Sequence, residues 1–377
     1  MTSTKKIVII QRRLTHYRVP FFERLRAEFQ RRDLELVLAH GNASHGELGK
    51  NDGGVLDWAL PLQTRYWLDG KICWQPFGSL LHEASAVVMT AENKLIYNWY
   101  VQALRRDVRV VLWGHGANLQ GNPNSLRERF KRKTARLADW WLAYTDMSVR
   151  LIEQTGFPAD RISVLENAVD TTELARLHRS VSKKDTDQLR QDLGISGQQL
   201  GIYIGSLYSE KRIGFMLESA LRIRARVPGF ELLIVGAGPD EHLIRNFCRQ
   251  YGWAKYVGPR KGRDKAVMLS VARVMINPGL VGLGILDSFV CGVPLATTDC
   301  GLHSPEISYL HNNENGIVTD NSIAAFADTV ANLLRDEPAL AKLKNGCIGS
   351  AGRYTIENMA NNFASAMEAC LYKPMYR

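Results

Sequence analysis

Short apolar runs alternate with longer amphipathic stretches along the whole chain. Strands buried in a parallel sheet read as continuous Val/Ile/Leu runs, whereas crossover helices place apolar residues three and four apart. On that basis Ile7 to Ile10, Leu34 to Ala39, Ala86 to Met89, Val108 to Trp113, Trp140 to Tyr144 and Ile162 to Leu165 are predicted strands, with a helix around Asn93 to Arg106. The polar stretch Ser180 to Gln198 reads as an interdomain connection. The alternation then resumes. Leu200 to Ile204, Glu231 to Val235, Arg273 to Ile276 and Pro294 to Thr297 are strands, and Gly214 to Val227, Ile323 to Arg335 and Ile356 to Cys370 are helices. The pattern predicts an α/β protein of two Rossmann-like halves. Its expected domains are residues 1–180, residues 181–355, and a C-terminal helix over 356–377 that packs back on the first domain.

Composition supports a folded, two-domain chain. The 377 residues exceed one ordinary core, and 45% apolar with 23% charged is the balance of a globular protein. No apolar run is long enough for a membrane span, and Met1 to Lys6 lack the core of a signal peptide, so a cytoplasmic location is expected. The six cysteines form no CxxC pair and no zinc-type spacing, which reads as reduced, buried thiols. The formal charge of +10 permits nucleic acid, anionic lipid or phosphorylated small molecules as partners.

Candidate chemistry gathers where strands end. Gly205-Ser206 through Lys211-Arg212 joins a strand to a helix at the carboxyl edge of a parallel sheet, where ligands bind. The lysine–arginine pair suits a diphosphate. Pro278 to Asp287 also follows a strand, and the amides near Gly282, Leu283 and Gly284 open the next helix and suit a phosphate. Asp287 shares their helix face and is placed to accept hydrogen bonds from ribose hydroxyls. His303-Ser304-Pro305-Glu306 divides between helix capping by Ser304 and donor contact by Glu306. In the first half, Gln11 to Arg18 leaves the first strand, and His16, Tyr17 and Arg18 are candidates for a diphosphate or acceptor contact. Two helices are rich in arginine on one face: one carries Arg24, Arg26, Arg31 and Arg32, the other Arg127, Arg129, Lys131, Arg132, Lys133 and Arg136. Such faces suit an anionic membrane surface.

These segments resemble glycosyltransferase family 4, a large retaining family of GT-B fold. Gly205 to Arg212 resembles its strand-end glycine and phosphate-binding lysine. Gly279 to Asp287, followed by Gly292-Val293-Pro294, resembles its Glu-x7-Glu region. Gly236-Ala237-Gly238-Pro239, Asn167-Ala168-Val169-Asp170 and Trp113-Gly114-His115-Gly116 resemble three further segments. The departures are specific. Gly279 stands where the family has its first Glu and Asp287 where it has the second; Ser206 replaces an arginine; and no Gly-Gly loop follows the first strand. The Pro278-Gly279-x-Val281-Gly282-Leu283 pattern is read as a variant subfamily. The resemblance implies transfer of a sugar from a nucleotide-sugar donor, UDP- or GDP-linked, in a cleft between two Rossmann-like domains. It implies retained configuration, a glycan or lipid-linked acceptor, and no metal or other cofactor. Lys211 and Arg212 would stabilise the leaving diphosphate, His115 would orient the sugar, and Gly205, Ser206, Gly282, Leu283, Gly284, Asp287 and Glu306 would hold the donor. The alternatives are a nucleotide-sugar epimerase of the same fold, for which no acid/base set is evident, and a basic nucleic-acid-binding protein, for which no binding module is evident.

Overall fold

The computed structural model describes residues 4–50, 52–105, 107–116 and 133–376. The chain divides into two compact units, residues 1–170 with 355–377 and residues 171–354. Each is a parallel α/β sheet covered by helices.

In the first unit, β1 (Lys5–Gln11), β2 (Leu34–His40), β3 (Leu60–Pro61), β6 (Ala86–Thr90), β7 (Arg109–Gly114), β8 (Trp140–Ala143) and β9 (Ile162–Val164) form a parallel sheet in the order β3-β2-β1-β6-β7-β8-β9. A separate antiparallel hairpin joins β4 (Arg65–Trp67) and β5 (Ile72–Trp74). The strands that read as unbroken apolar runs are buried on both faces: Ile7, Val8 and Ile9 are fully covered. The Val19–Gln30 helix buries Phe21, Phe22, Leu25 and Phe29. These meet the C-terminal helix Ile356–Tyr372, whose Phe363 ring lies 5.8 Å from Phe21, 6.1 Å from Phe29 and 5.4 Å from Trp113.

In the second unit, β10 (Gln199–Ile204), β11 (Phe230–Val235), β12 (Ala254–Tyr256), β13 (Val274–Ile276), β14 (Leu295–Thr298) and β15 (Gly316–Thr319) run parallel in the order β12-β11-β10-β13-β14-β15. Phe230, Ile234, Ile276, Phe326 and Val330 lie at its core.

The structure differs from the expected organisation in the middle of the chain. Ser180 to Gln198 is not an open connection. Helix Thr172–Arg179 and helix Lys183–Leu193 both belong to the second unit, so the division falls at Asp170/Thr171 rather than 180/181. The cause is local. Ser182 accepts the amide of Asp185 while Asp185 accepts that of Ser182, a capping box, and Gly194 closes the helix at φ 61°. This helix buries no residue completely, so it carries no apolar stripe for periodicity to detect. The helix expected over Asn93 to Arg106 spans Ile96–Leu104.

Phe363 should be central to the first unit's stability. Phe363→Ala is expected to lower unfolding free energy by about 3–5 kcal/mol, measured by urea denaturation; a loss below about 1 kcal/mol would show that the C-terminal helix docks loosely.

Candidate functional site

In the second unit β10 lies between β11 and β13, so the chain leaves β10 toward one flank and later returns to the other. Loops diverge from the carboxyl ends of such a pair and leave a crevice. Those loops are Gly205 to Arg212 and Asn277 to Gly284. The first is braced from behind: Gly205 N–H donates to Val235 O at 3.0 Å and Leu207 N–H to Ala237 O at 2.9 Å. Gly236, at φ 150°, is required there, because a β-carbon would stand 1.8 Å from Gly205 O.

The two loops are locked together by backbone contact. Leu280 N–H donates to Glu210 O at 2.8 Å, and Lys211 Nζ donates to Leu280 O at 2.5 Å. A β-carbon on Gly279 would meet Glu210 O at 2.5 Å, Lys211 C at 2.5 Å and Lys211 O at 2.6 Å. Position 279 therefore has no room for any side chain, and glycine there is a packing requirement. Arg212 adopts φ 56°, uncommon outside glycine. Its Nη1 donates to Pro278 O at 3.3 Å, Thr298 Oγ1 at 3.0 Å and Asn321 Oδ1 at 2.7 Å, with the guanidinium 4.1 Å from the Phe215 ring centre. It ties three loops to one another, which corrects the expectation of a cation reserved for a diphosphate.

Lys211 is different. Burial pushes its ammonium down to about 8. Among the described residues no carboxylate pairs with it; its neighbours are Leu280 O and the Tyr208 ring, 5.8 Å away. The sheet edge thus holds a largely desolvated cation without a counter-ion among the described residues.

Gly282, Leu283 and Gly284 lead into the Ile285–Cys291 helix, with Gly284 at its N-cap. Asp287, in its first turn, is ion-paired: Lys265 Nζ reaches Oδ2 at 2.6 Å. His303 Nδ1 accepts Val281 N–H at 3.1 Å, so the ring proton sits on Nε2, which donates to Thr298 O at 2.7 Å. Ser206 is exposed, and its carbonyl accepts the Tyr203 hydroxyl at 2.8 Å. Glu306 is buried, and Ser304, at the N-cap of the Pro305–Tyr309 turn, makes no side-chain capping bond, contrary to its expected capping role. Sequence reasoning missed Lys265, Thr298 and Asn321, which lie on separate elements with no motif joining them to their partners.

The first unit has its own point of divergence, between β1 and β6. Arg18, in the loop after β1, is buried rather than available to a ligand. Its Nη2 donates to Asn167 Oδ1 at 2.8 Å, and its guanidinium lies 5.3 Å from the Trp113 ring centre and 5.8 Å from that of Tyr144. His115, exposed at the end of β7, packs its ring 4.4 Å from Tyr144. His16 and Tyr17 are exposed, and the His16 amide donates to Asp52 O at 2.9 Å. The structure thus gathers Arg18, Tyr144 and His115 around one aromatic cluster. The same loop carries a network that spacing did not reveal. Arg12 bonds Glu47 at 2.7 Å and Tyr66 at 3.2 Å, and Arg13 bonds Asp52 at 2.5 Å. The bond from Arg12 holds the Glu47 carboxyl well below the usual carboxylate range.

The first basic helix face is largely spent within its own unit. Arg24 pairs with Glu357 and, at 3.6 Å, with Asp170; Arg32 bonds Glu368 at 2.7 Å and Asn361 at 2.7 Å; Arg26 lies 4.6 Å from the Trp58 ring centre. Only Arg31 of the four keeps an open side chain, and it pairs with Glu28. Of the second basic stretch, Arg127, Arg129, Lys131 and Arg132 lie outside the described residues.

Residues 198–336 match the family model described as Glycosyl transferases group 1. The chain is 25% identical over 180 residues, 44% of this chain and 45% of the relative, to the GDP-mannose-dependent alpha-(1-6)-phosphatidylinositol monomannoside mannosyltransferase of Mycolicibacterium smegmatis. Alignments to the first curated relatives span from 45% to 63% of those proteins' lengths. Among solved structures, HepE of Anabaena in complex with UDP superposes with a TM-score of 0.69 at 14% identity, covering 97% of this chain and 99% of that one. WaaG, a glycosyltransferase involved in lipopolysaccharide biosynthesis, does so with 0.63 at 14%, covering 95% and 98%. The fold is GT-B, two Rossmann-like α/β domains, the architecture of these glycosyltransferases.

Gly279→Glu should destabilise the second unit. The new side chain would meet backbone atoms that cannot swing aside, so the variant is expected to lose at least about 2 kcal/mol of stability. A melting curve that matches the parent would show that the loops part easily.

Proposed function

We propose that the chain is a glycosyltransferase whose second domain binds a nucleotide-sugar donor, UDP- or GDP-linked, and which transfers the sugar with retained configuration to a glycan or lipid-linked acceptor. The observation that carries this reading is Lys211. It is a half-buried ammonium without a carboxylate partner among the described residues, at the carboxyl edge of β10, inside the segment matched by the family model. Leaving a cation in that state is unfavourable unless an anion joins it. As the glycosidic bond breaks, negative charge grows on the leaving diphosphate, and a fixed ammonium there stabilises the transition state more than the ground state. Lys211 does this work without a metal. The amides of Gly282, Leu283 and Gly284 add oriented N–H groups, and Asp287, its rotamer fixed by Lys265, holds the ribose. Gly205 and Ser206 border the donor, His115 orients its sugar, and Glu306 supports the loop that covers it. His16 and Tyr17 are left for the acceptor; Arg18 serves by holding the aromatic cluster beneath them. The epimerase and nucleic-acid alternatives gain nothing from the family match or the relatives' named activities.

Lys211→Ala should lower kcat with a UDP- or GDP-sugar by about 2–4 kcal/mol of transition-state stabilisation, with a smaller change in KM. The pH dependence follows from the sign of the shift. The proton needed for function leaves Lys211 as pH rises through about 8 in the free protein. The donor kcat/KM should therefore fall above pH 8, whereas kcat holds to higher pH because bound diphosphate retains the proton. A flat kcat/KM profile between pH 7 and 10 would remove Lys211 from the mechanism.

We also propose a cytoplasmic location with peripheral attachment to anionic membranes, in keeping with a lipid-linked acceptor. Arg24 and Arg32 are engaged internally, so the support shifts to the β4–β5 hairpin, where Trp67 and Leu68 are exposed beside Arg65 and Lys71. No described helix is long and apolar enough to cross a membrane. Trp67→Ala with Leu68→Ala should reduce flotation with phosphatidylglycerol liposomes by at least about tenfold; unchanged flotation would place the contact elsewhere.

A further inference from the structure

His115 immediately follows β7 and Tyr144 immediately follows β8, and the two strands run parallel with Gly114 opposite Ala143. That register brings the next residue of each strand side by side at the carboxyl edge of the first unit's sheet. The two rings meet there with centroids 4.4 Å apart and planes at 74°, an edge-to-face pair.

Both partners are fixed from behind. Gly116 turns the chain directly after His115 at φ 82°, and a β-carbon there would stand 2.7 Å from Ile152 Cγ1 and 3.1 Å from Ser148 O. The turn is therefore pressed against the Asp146–Glu153 helix. On the other side, Tyr144 O accepts the Asn167 amide at 2.9 Å, and the following residue, Thr145, is fully buried. Asn167 Oδ1 in turn accepts Arg18 Nη2 at 2.8 Å, and the buried Arg18 guanidinium lies 5.8 Å from the Tyr144 ring centre. One asparagine thus ties the Tyr144 backbone to the cation that packs on its ring. The His115 side chain is exposed. An exposed imidazole is free to change rotamer unless a neighbour restricts it, and the Tyr144 ring is such a neighbour.

We propose that Tyr144 is a positioning residue: its ring, held by Arg18 and Asn167, sets the direction in which the His115 imidazole meets the donor sugar. This rests on the reading of His115 as the group that orients that sugar. A group with that task must be held to a fraction of an ångström, and loss of its support lowers turnover. The contact is one of rings, so an aromatic side chain at 144 serves and an aliphatic one does not.

The test follows hydrolysis of UDP-glucose and GDP-mannose by the full chain, with water as acceptor. His115→Ala and Tyr144→Leu should each lower kcat by about tenfold or more. The double variant should be no slower than His115→Ala, because the tyrosine acts through the histidine. Tyr144→Phe, which keeps the ring, should recover most of the loss. Arg18→Lys, whose ammonium cannot span both Asn167 and the Tyr144 ring, should give a smaller loss that likewise disappears in the His115→Ala background. A tyrosine with a merely structural role would give neither the non-additivity nor the aromatic rescue. Proton spectra of the histidine rings measure the contact without turnover. The resonances lost in His115→Ala should be displaced by the Tyr144 ring current in the parent and return toward those of a free imidazole in Tyr144→Leu. Tyr144→Leu at the parent rate, losses that multiply in the double variants, or His115 resonances indifferent to Tyr144→Leu would overturn the proposal. Should His115→Ala keep the parent rate while its resonances still report the ring contact, the sugar-orienting role of His115 falls, and the proposal falls with it.

Discussion

The contact of Gly279 with the backbone of Glu210 and Lys211 is the constraint on which the second-domain site depends. With no side chain at that position, the loops after β10 and β13 touch through main-chain atoms, and Leu280 N–H closes on Glu210 O at 2.8 Å. That contact places the Lys211 ammonium on Leu280 O and withdraws it in part from water. A glutamate at 279 would need the two loops to separate, and the lysine would then be solvated and its charge screened. Glycine at 279 and the partial burial of the neighbouring cation thus go together.

The remaining polar groups around the crevice are arranged to keep that geometry. Arg212 binds carbonyl, hydroxyl and amide oxygens from three loops, which fixes its own left-handed backbone and the segment that bears Lys211. His303 joins Val281 to Thr298, and Thr298 Oγ1 donates to Pro278 O at 2.7 Å. Cations that are hydrogen-bonded in this way are positioning groups. Lys211, which pairs with no carboxylate among the described residues, is the cation to which we assign action on a ligand's charge. Preorganisation of this kind lets a site stabilise developing charge without reorganising at the moment of reaction.

Much of the architecture is legible from periodicity, because buried parallel strands announce themselves as β-branched runs: Ile7 to Ile10 and Leu200 to Ile204 lie where the pattern puts them. The helix Lys183–Leu193 is not legible that way, since Leu189 and Leu193 are its only apolar residues and its bounds are specified by its caps. Local motifs locate both loops of the candidate site, yet they assign charge poorly. Arg18, Arg212 and Asp287 look equally available in a linear sequence, and each is engaged by residues far along the chain: Asn167, Thr298 and Lys265. Likewise the arginines of the Val19–Gln30 helix resemble a membrane-facing stripe until Glu357 and Glu368 are placed beside them. Burial and pairing are tertiary properties, and spacing along a chain does not encode them.

In the proposed function, Lys211 is a partly deprotonated cation that takes up its proton when a nucleotide-sugar diphosphate arrives. Titration calorimetry of UDP-glucose or GDP-mannose at pH 8, repeated in buffers of different ionisation enthalpy, measures that uptake directly. With the free ammonium held near 8, binding should draw in about half a proton, and the uptake should vanish in Lys211→Gln. Tight binding with no proton uptake, or an uptake that persists in Lys211→Gln, would contradict the account.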